Sequence, residues 1–141
     1  MISFICGQLC CGKTVFAKAF ANTTDGVYVE IGDIVRSIKN SQDRQQLQNS
    51  KELSSEIISH LNLRANEVFP KQLIASGPRQ VEILKAFPEA TMLWIECPTQ
   101  TRKARYNFRA RQGDTMSFED ADKGDVDLGI LEIKQYILDR K

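Results

Sequence analysis

The sequence predicts an α/β fold built on a short parallel sheet, and three features carry that prediction. Apolar runs of about five residues alternate with helix-like stretches from the first residue to roughly Arg111. The runs are nearly continuous in apolar character, as in strands covered on both faces. The first run, Ile2-Ser3-Phe4-Ile5-Cys6, leads directly into Gly7-Gln8-Leu9-Cys10-Cys11-Gly12-Lys13-Thr14, a complete GxxxxGK[ST] loop.

That loop explains its own composition. Its two glycines let the backbone curl so that successive N–H groups face phosphate oxygens. Lys13 then reaches the β/γ-phosphates, and the Thr14 hydroxyl ligates Mg²⁺. A helix is predicted from Lys13 to Ala21, with Val15, Phe16, Ala19 and Phe20 as its buried stripe. Its positive N-terminus adds to the anion site. The loop therefore implies a nucleoside triphosphate with Mg²⁺.

The second strand is Val27–Ile31, followed by a helix at Asp33–Lys39. The polar, Gln-rich stretch Ser41–Asn49 reads as a short solvated helix or loose segment. Ser50 would cap a helix carrying Leu53, Ile57, Ile58 and Leu61. Gln72–Ala75 is the third strand, broken by Ser76-Gly77-Pro78, and the next helix carries Val81, Ile83, Leu84 and Phe87. Thr91–Ile95 is the fourth strand, with a helix from about Thr99. Ser117-Phe118-Glu119-Asp120 opens a short helix through a capping box, with Gly113 and Gly124 as hinges. Val126, Ile130, Ile133 and Ile137 read as one amphipathic helix running nearly to Lys141.

Composition bounds the function. At 141 residues the chain reads as a single domain, 1–141, and 42% hydrophobic with 26% charged residues is ordinary for a globular protein. A net charge of +1 gives no general attraction to nucleic acid or membrane. With neither a membrane-length apolar run nor a signal peptide, the expected location is cytoplasmic. Cys6, Cys10, Cys11 and Cys97 lack zinc spacing, and there is one histidine, His60, which reads as a surface or packing residue. Cys10 and Cys11 read as filler in the loop, with redox sensitivity as the sharper alternative.

Ligands of parallel sheets bind at the carboxyl ends of strands, so the residues there matter most. Gly32-Asp33-Ile34-Val35-Arg36 follows the second strand, and Ser76-Gly77-Pro78-Arg79 the third. The helix after the fourth carries Arg102, Arg105 and Arg109 on one face, with Arg111 beyond. Three sources of arginine thus converge on the loop's side of the sheet. A donor phosphate, an acceptor phosphate and flanking arginines are the parts of phosphoryl transfer. The acidic residues from Asp114 to Asp127 fold back on an unliganded basic face and disfavour nucleic acid as a partner.

The ordered set GxxxxGKT, GDxxR, GxR and P-x-x-T-R-x-x-R-x-x-x-R resembles the nucleoside monophosphate kinase family, in particular its adenylate-kinase-like, dephospho-CoA-kinase-like and small phage deoxynucleotide-kinase-like members. The resemblance covers about residues 1–130. It implies a three-layer αβα P-loop NTPase fold of four to five strands, a short NMP-binding insert at about 33–66 and a short lid at about 109–125. The implied activity is ATP-dependent phosphorylation of a nucleoside or deoxynucleoside monophosphate. Gly7 to Thr14 would hold ATP, and Arg36 and Arg79, with Asp33, the acceptor. Lys13, Arg105 and Arg109 would serve the transferring group, with Arg102 and Arg111 assisting at ATP.

Two departures keep alternatives open. The family has an acidic residue where this chain has Ser76, so Mg²⁺ would depend on Thr14, with Ser76, Asp33 or Glu30 acting through water. The family also closes the adenine side with a fifth strand, of which Tyr136-Ile137-Leu138 is at most a stub. That side is open, weak or completed by a second subunit in a homodimer. A non-catalytic nucleotide-binding protein with a regulatory or assembly role and a kinase of another small metabolite are the rival readings.

Overall fold

The computed structural model describes residues 1–39, 53–109 and 116–140. Four parallel strands form the sheet: β1 (Ile2–Gly7), β2 (Val27–Glu30), β3 (Leu73–Ser76) and β4 (Thr91–Ile95), in the order β2-β3-β1-β4. Around them lie α1 (Lys13–Thr24), α2 (Ile31–Lys39), α3 (Ser54–Val68), α4 (Val81–Lys85), α5 (Thr99–Arg109), α6 (Phe118–Leu128) and α7 (Ile130–Asp139). The central position of β1, with strands on both sides, accounts for its complete burial and its continuous apolar sequence.

Strand alternation divides the core. Ile2, Phe4 and Cys6 of β1, with Leu73 and Ala75 of β3, face one side and meet Ile57 and Leu61 of α3, Ile83 and Leu84 of α4, and Ile133 and Ile137 of α7. Ile5 and Ile74 face the other side, beneath α1. The contact is made by Ala17 and Ala21, whose small side chains let the helix lie close to the strands. The predicted stripe is therefore off in face: Val15 is 75% and Phe16 43% exposed, and of its large side chains Phe20 alone packs against this core, with Phe16 stacked on it from outside.

The C-terminal region also differs from the expectation of one helix. Gly129, at φ 114°, ends α6 and starts α7, a backbone conformation that L side chains rarely adopt. Val126 stays on α6 and is partly exposed, while Ile130, Ile133 and Ile137 line the buried face of α7. Tyr136-Ile137-Leu138 is helical, so it supplies no strand, and β4 remains an edge of the sheet among the described residues, as β2 is at the other side. Gly124 lies inside α6 and is no hinge. Leu53, rather than Ser50, is the residue preceding the α3 helix. Ser41–Asn49, Ser50, Arg111, Gly113 and Asp114 lie outside the described residues.

The two faces of α7 give a direct test of this packing. Ile133→Val removes one fully buried methyl and should cost about 1 kcal/mol in urea unfolding. Leu131→Ala, on the exposed side of the same helix, should stay within about 0.5 kcal/mol. Equal losses would mean that α7 packs in another register. No described helix is long and apolar enough to cross a membrane.

Candidate phosphate-binding site

The loop between β1 and α1 is fixed from beneath. A side chain at Gly7 would put a Cβ 2.9 Å from the Ile95 carbonyl oxygen and into Cys11 Sγ, so only glycine lets β1 run this close to β4 and its own loop. Within the loop, Cys11 N donates to Gln8 O (3.1 Å), and Phe16 N to Gly12 O (3.1 Å). Leu9 anchors the loop in a small separate core with Tyr106 of α5 and Phe118 and Ala121 of α6. The loop, α5 and α6 are thus one packed unit.

A cavity of about 370 Å³ opens over this loop. Gly7, Leu9, Cys10, Gly12, Lys13 and Thr14 line one side, and Arg105 and Arg109 of α5 overhang it. Arg105 Nη1 donates to Cys10 O (3.3 Å) and lies 3.6 Å from Cys97 Sγ. Arg109 lies over the Tyr106 ring, 5.5 Å from its centroid. Lys13 Nζ donates to Gln8 O (3.4 Å), and burial lowers the Lys13 pKa below its ordinary value. An arriving phosphate would favour the charged form.

On the opposite side the same cavity is lined by Glu30, Gly32 and Arg36 from the end of β2, and by Gly77, Pro78 and Arg79 from the end of β3. Each arginine here already holds a carboxylate. Arg36 Nη1 is 2.6 Å from Asp33 Oδ1, an exposed group that is not itself in the cavity wall. Arg79 Nε is 3.1 Å from Asp125 Oδ1 of α6, whose side chain is buried and does line the cavity. Asp125 stood in the sequence only as one member of an acidic run; its pairing spans 46 positions, a distance no local pattern reports.

Arg102 does not line the cavity wall, unlike the other arginines expected at ATP or the acceptor among the described residues. Its guanidinium is buried, donating through Nη1 to Asp122 Oδ1 (2.8 Å) and Leu9 O (3.1 Å) and lying 5.3 Å from the Phe118 ring centroid. One helical turn before Arg105, it lies between α6 and the back of the loop, outside the cavity wall. The backward fold of the acidic run takes this form, with Lys103 Nζ also 2.9 Å from Glu119 Oε2. Ser117 Oγ accepts from Asp120 N (3.1 Å), capping α6.

Ser76 is buried, and its hydroxyl is 3.0 Å from Tyr28 Oη. Burial raises the Tyr28 pKa above its ordinary value, so the phenol stays protonated at neutral pH. Among the described residues no group of three or more His, Cys, Asp or Glu side chains could hold a metal by itself. Hydroxyl and carboxylate oxygens at Thr14 and Glu30 nonetheless suit Mg²⁺, which keeps several waters and takes substrate phosphates as ligands. The four cysteines are free thiols; burial pushes that of Cys6 far up, and Cys10 lines the cavity.

No protein-family model matches the chain, and no curated protein matches it. Solved structures do. A chain of the Pnkp1/Rnl/Hen1 RNA repair complex is similar at a TM-score of 0.60 and 17% identity over 96% of this chain. This chain spans only 45% of that one. Shikimate kinase from Aquifex aeolicus vf5 is similar at a TM-score of 0.56 and 14% identity, covering 99% of this chain and 95% of its own. At such identities the likeness speaks to architecture, and the architecture is the P-loop NTPase fold.

Proposed function

We propose that this protein transfers the γ-phosphoryl group of ATP to a nucleoside or deoxynucleoside monophosphate. The observation that carries the reading is the two-sided cavity, with loop and α5 cations on one side and Arg36 and Arg79 on the other. Lys13 and the loop amides bind the donor phosphates, and Thr14 supplies one hydroxyl ligand to Mg²⁺, which neutralises charge on those phosphates when bound. Arg36 and Arg79 hold the acceptor phosphate in line, and Arg105 and Arg109 stabilise charge on the migrating group. The acceptor phosphate is already anionic at neutral pH, so its attack requires no side-chain base.

Asp33 and Asp125 keep both acceptor arginines oriented before the acceptor arrives. Asp125, in the cavity wall, also favours a second reading, a kinase of a hydroxyl acceptor, for which a carboxylate beside the acceptor is the expected general base. The similarity to a shikimate kinase points the same way.

An ADP-release assay with Mg-ATP separates the two, run across ribo- and deoxyribomononucleotides and against shikimate, with Lys13→Ala as the blank. Release is expected with one or a few mononucleotides. Arg79→Ala should then raise the acceptor KM by about 10- to 100-fold, the worth of a charged hydrogen bond. Release with shikimate alone would replace the first reading by the second. ATP binding without release from any acceptor would leave a non-catalytic nucleotide-binding protein.

A further inference from the structure

The end of β3 carries Ser76, a hydroxyl, on the side of the sheet where Thr14 would take the nucleotide's Mg²⁺. The sheet register shows where a carboxylate stands instead. Glu30 pairs directly with Ser76 across the parallel β2–β3 ladder, so both side chains leave the same face of the sheet. That face carries α1, whose first turn holds Thr14. Glu30 also lines the cavity together with Thr14, whereas Asp33 does not. Tyr28, two residues before Glu30 and therefore on the same face, closes the arrangement: its hydroxyl is 3.0 Å from Ser76 Oγ and lies near the Thr14 hydroxyl.

We propose that Glu30 is the acidic group that orders the water shell of the nucleotide-bound Mg²⁺, and that Tyr28, held by Ser76, positions the Thr14 hydroxyl toward the same cation. The carboxylate has moved one strand outward along the sheet, and the Tyr28–Ser76 pair fills the space it leaves. Glu30 acts through water, because Mg²⁺ retains most of its waters when phosphates are its ligands. Tyr28 is a positioning residue: a protonated phenol, it contributes hydrogen bonds and no charge.

This inference rests on the donor side of the proposed function, the binding of ATP at the loop, and its test reads binding rather than turnover. Affinity for ATP is measured by calorimetry in EDTA and in excess Mg²⁺. Without Mg²⁺, the Glu30 charge repels the phosphates; with Mg²⁺, it attracts the cation. Glu30→Gln should therefore tighten Mg-free ATP by about 2- to 5-fold while weakening Mg-ATP by about 10-fold. Tyr28→Phe should weaken Mg-ATP by about 3-fold and leave Mg-free ATP unchanged. Adding Ser76→Asp to Glu30→Gln should restore most of the Mg²⁺ enhancement.

A damaged fold would weaken both forms of ATP alike and could not be rescued at position 76. Equal weakening in both conditions, or an unchanged Mg²⁺ enhancement in Glu30→Gln, would overturn the inference and leave the proposed function standing. Absence of ATP binding by the unaltered protein would overturn both.

Discussion

Lys13→Ala is expected to lower phosphoryl transfer by about 10³-fold and to raise the ATP dissociation constant by at least 10-fold, with little change in stability. The size follows from the loss of a preorganised cation at the point where charge moves. The asymmetry with stability follows from burial. Lys13 sits in the cavity wall with, among the described residues, one long hydrogen bond to Gln8 O, and desolvation already works against its charge. Deleting it removes a strained cation from the empty site and a ligand from the filled one. Steady-state kinetics, ATP titration and urea unfolding read the three quantities separately. A variant that turned over within 10-fold of the original would remove the loop from the chemistry.

The same burial gives a pH signature. The Lys13 pKa is lowered in the empty protein, and bound phosphate raises it by attraction. At pH values between the lowered and the raised pKa, ATP binding takes up a proton, and affinity falls as pH rises. Calorimetry in two buffers of different ionisation enthalpy detects the uptake. Its disappearance in Lys13→Ala assigns it, and its persistence would place the titrating group elsewhere.

The four strands lie within a residue or so of where apolar runs and turn residues put them, because a strand buried on both faces is a local property of sequence. What local pattern cannot report is which partner a face meets. On α1 the larger side chains Val15 and Phe16 look like the core, yet the sheet selects Ala17 and Ala21 because close approach needs small residues. Near the C-terminus the hydrophobic period runs on through Gly129, while the backbone there turns left-handed and splits the helix. That the GxxxxGKT loop, Arg36, Arg79, Arg105 and Arg109 would share one cavity is legible in the sequence, because each sits at a strand end or in a dense motif. Asp125, Tyr28 and the buried fate of Arg102 are not, since each is fixed by a contact with a distant segment.

Arg102 supplies the second large expected effect. Its guanidinium bridges three pieces of the site: Asp122 on α6, the carbonyl of Leu9 in the phosphate loop, and Thr99 Oγ1 at the start of α5 (3.5 Å). Asp122→Ala would leave that cation buried with hydrogen-bond acceptors but without its countercharge. Breaking a buried pair in this way costs about 3–5 kcal/mol, and the lower end applies because the Asp122 side chain is 20% exposed. Replacing both partners is different in kind. Arg102→Met with Asp122→Ala removes the charge together with its counterion and leaves an apolar side chain against Phe118 and Tyr106, so most of the lost stability should return. The double variant also decides what Arg102 does for the nucleotide. An arginine touching ATP phosphates would cost 10- to 100-fold in ATP affinity when replaced by methionine. A guanidinium that braces the Leu9 carbonyl from behind should cost no more than about 3-fold. Urea unfolding of the single and double variants, with ATP titration of the double, separates support of the loop from contact with its ligand.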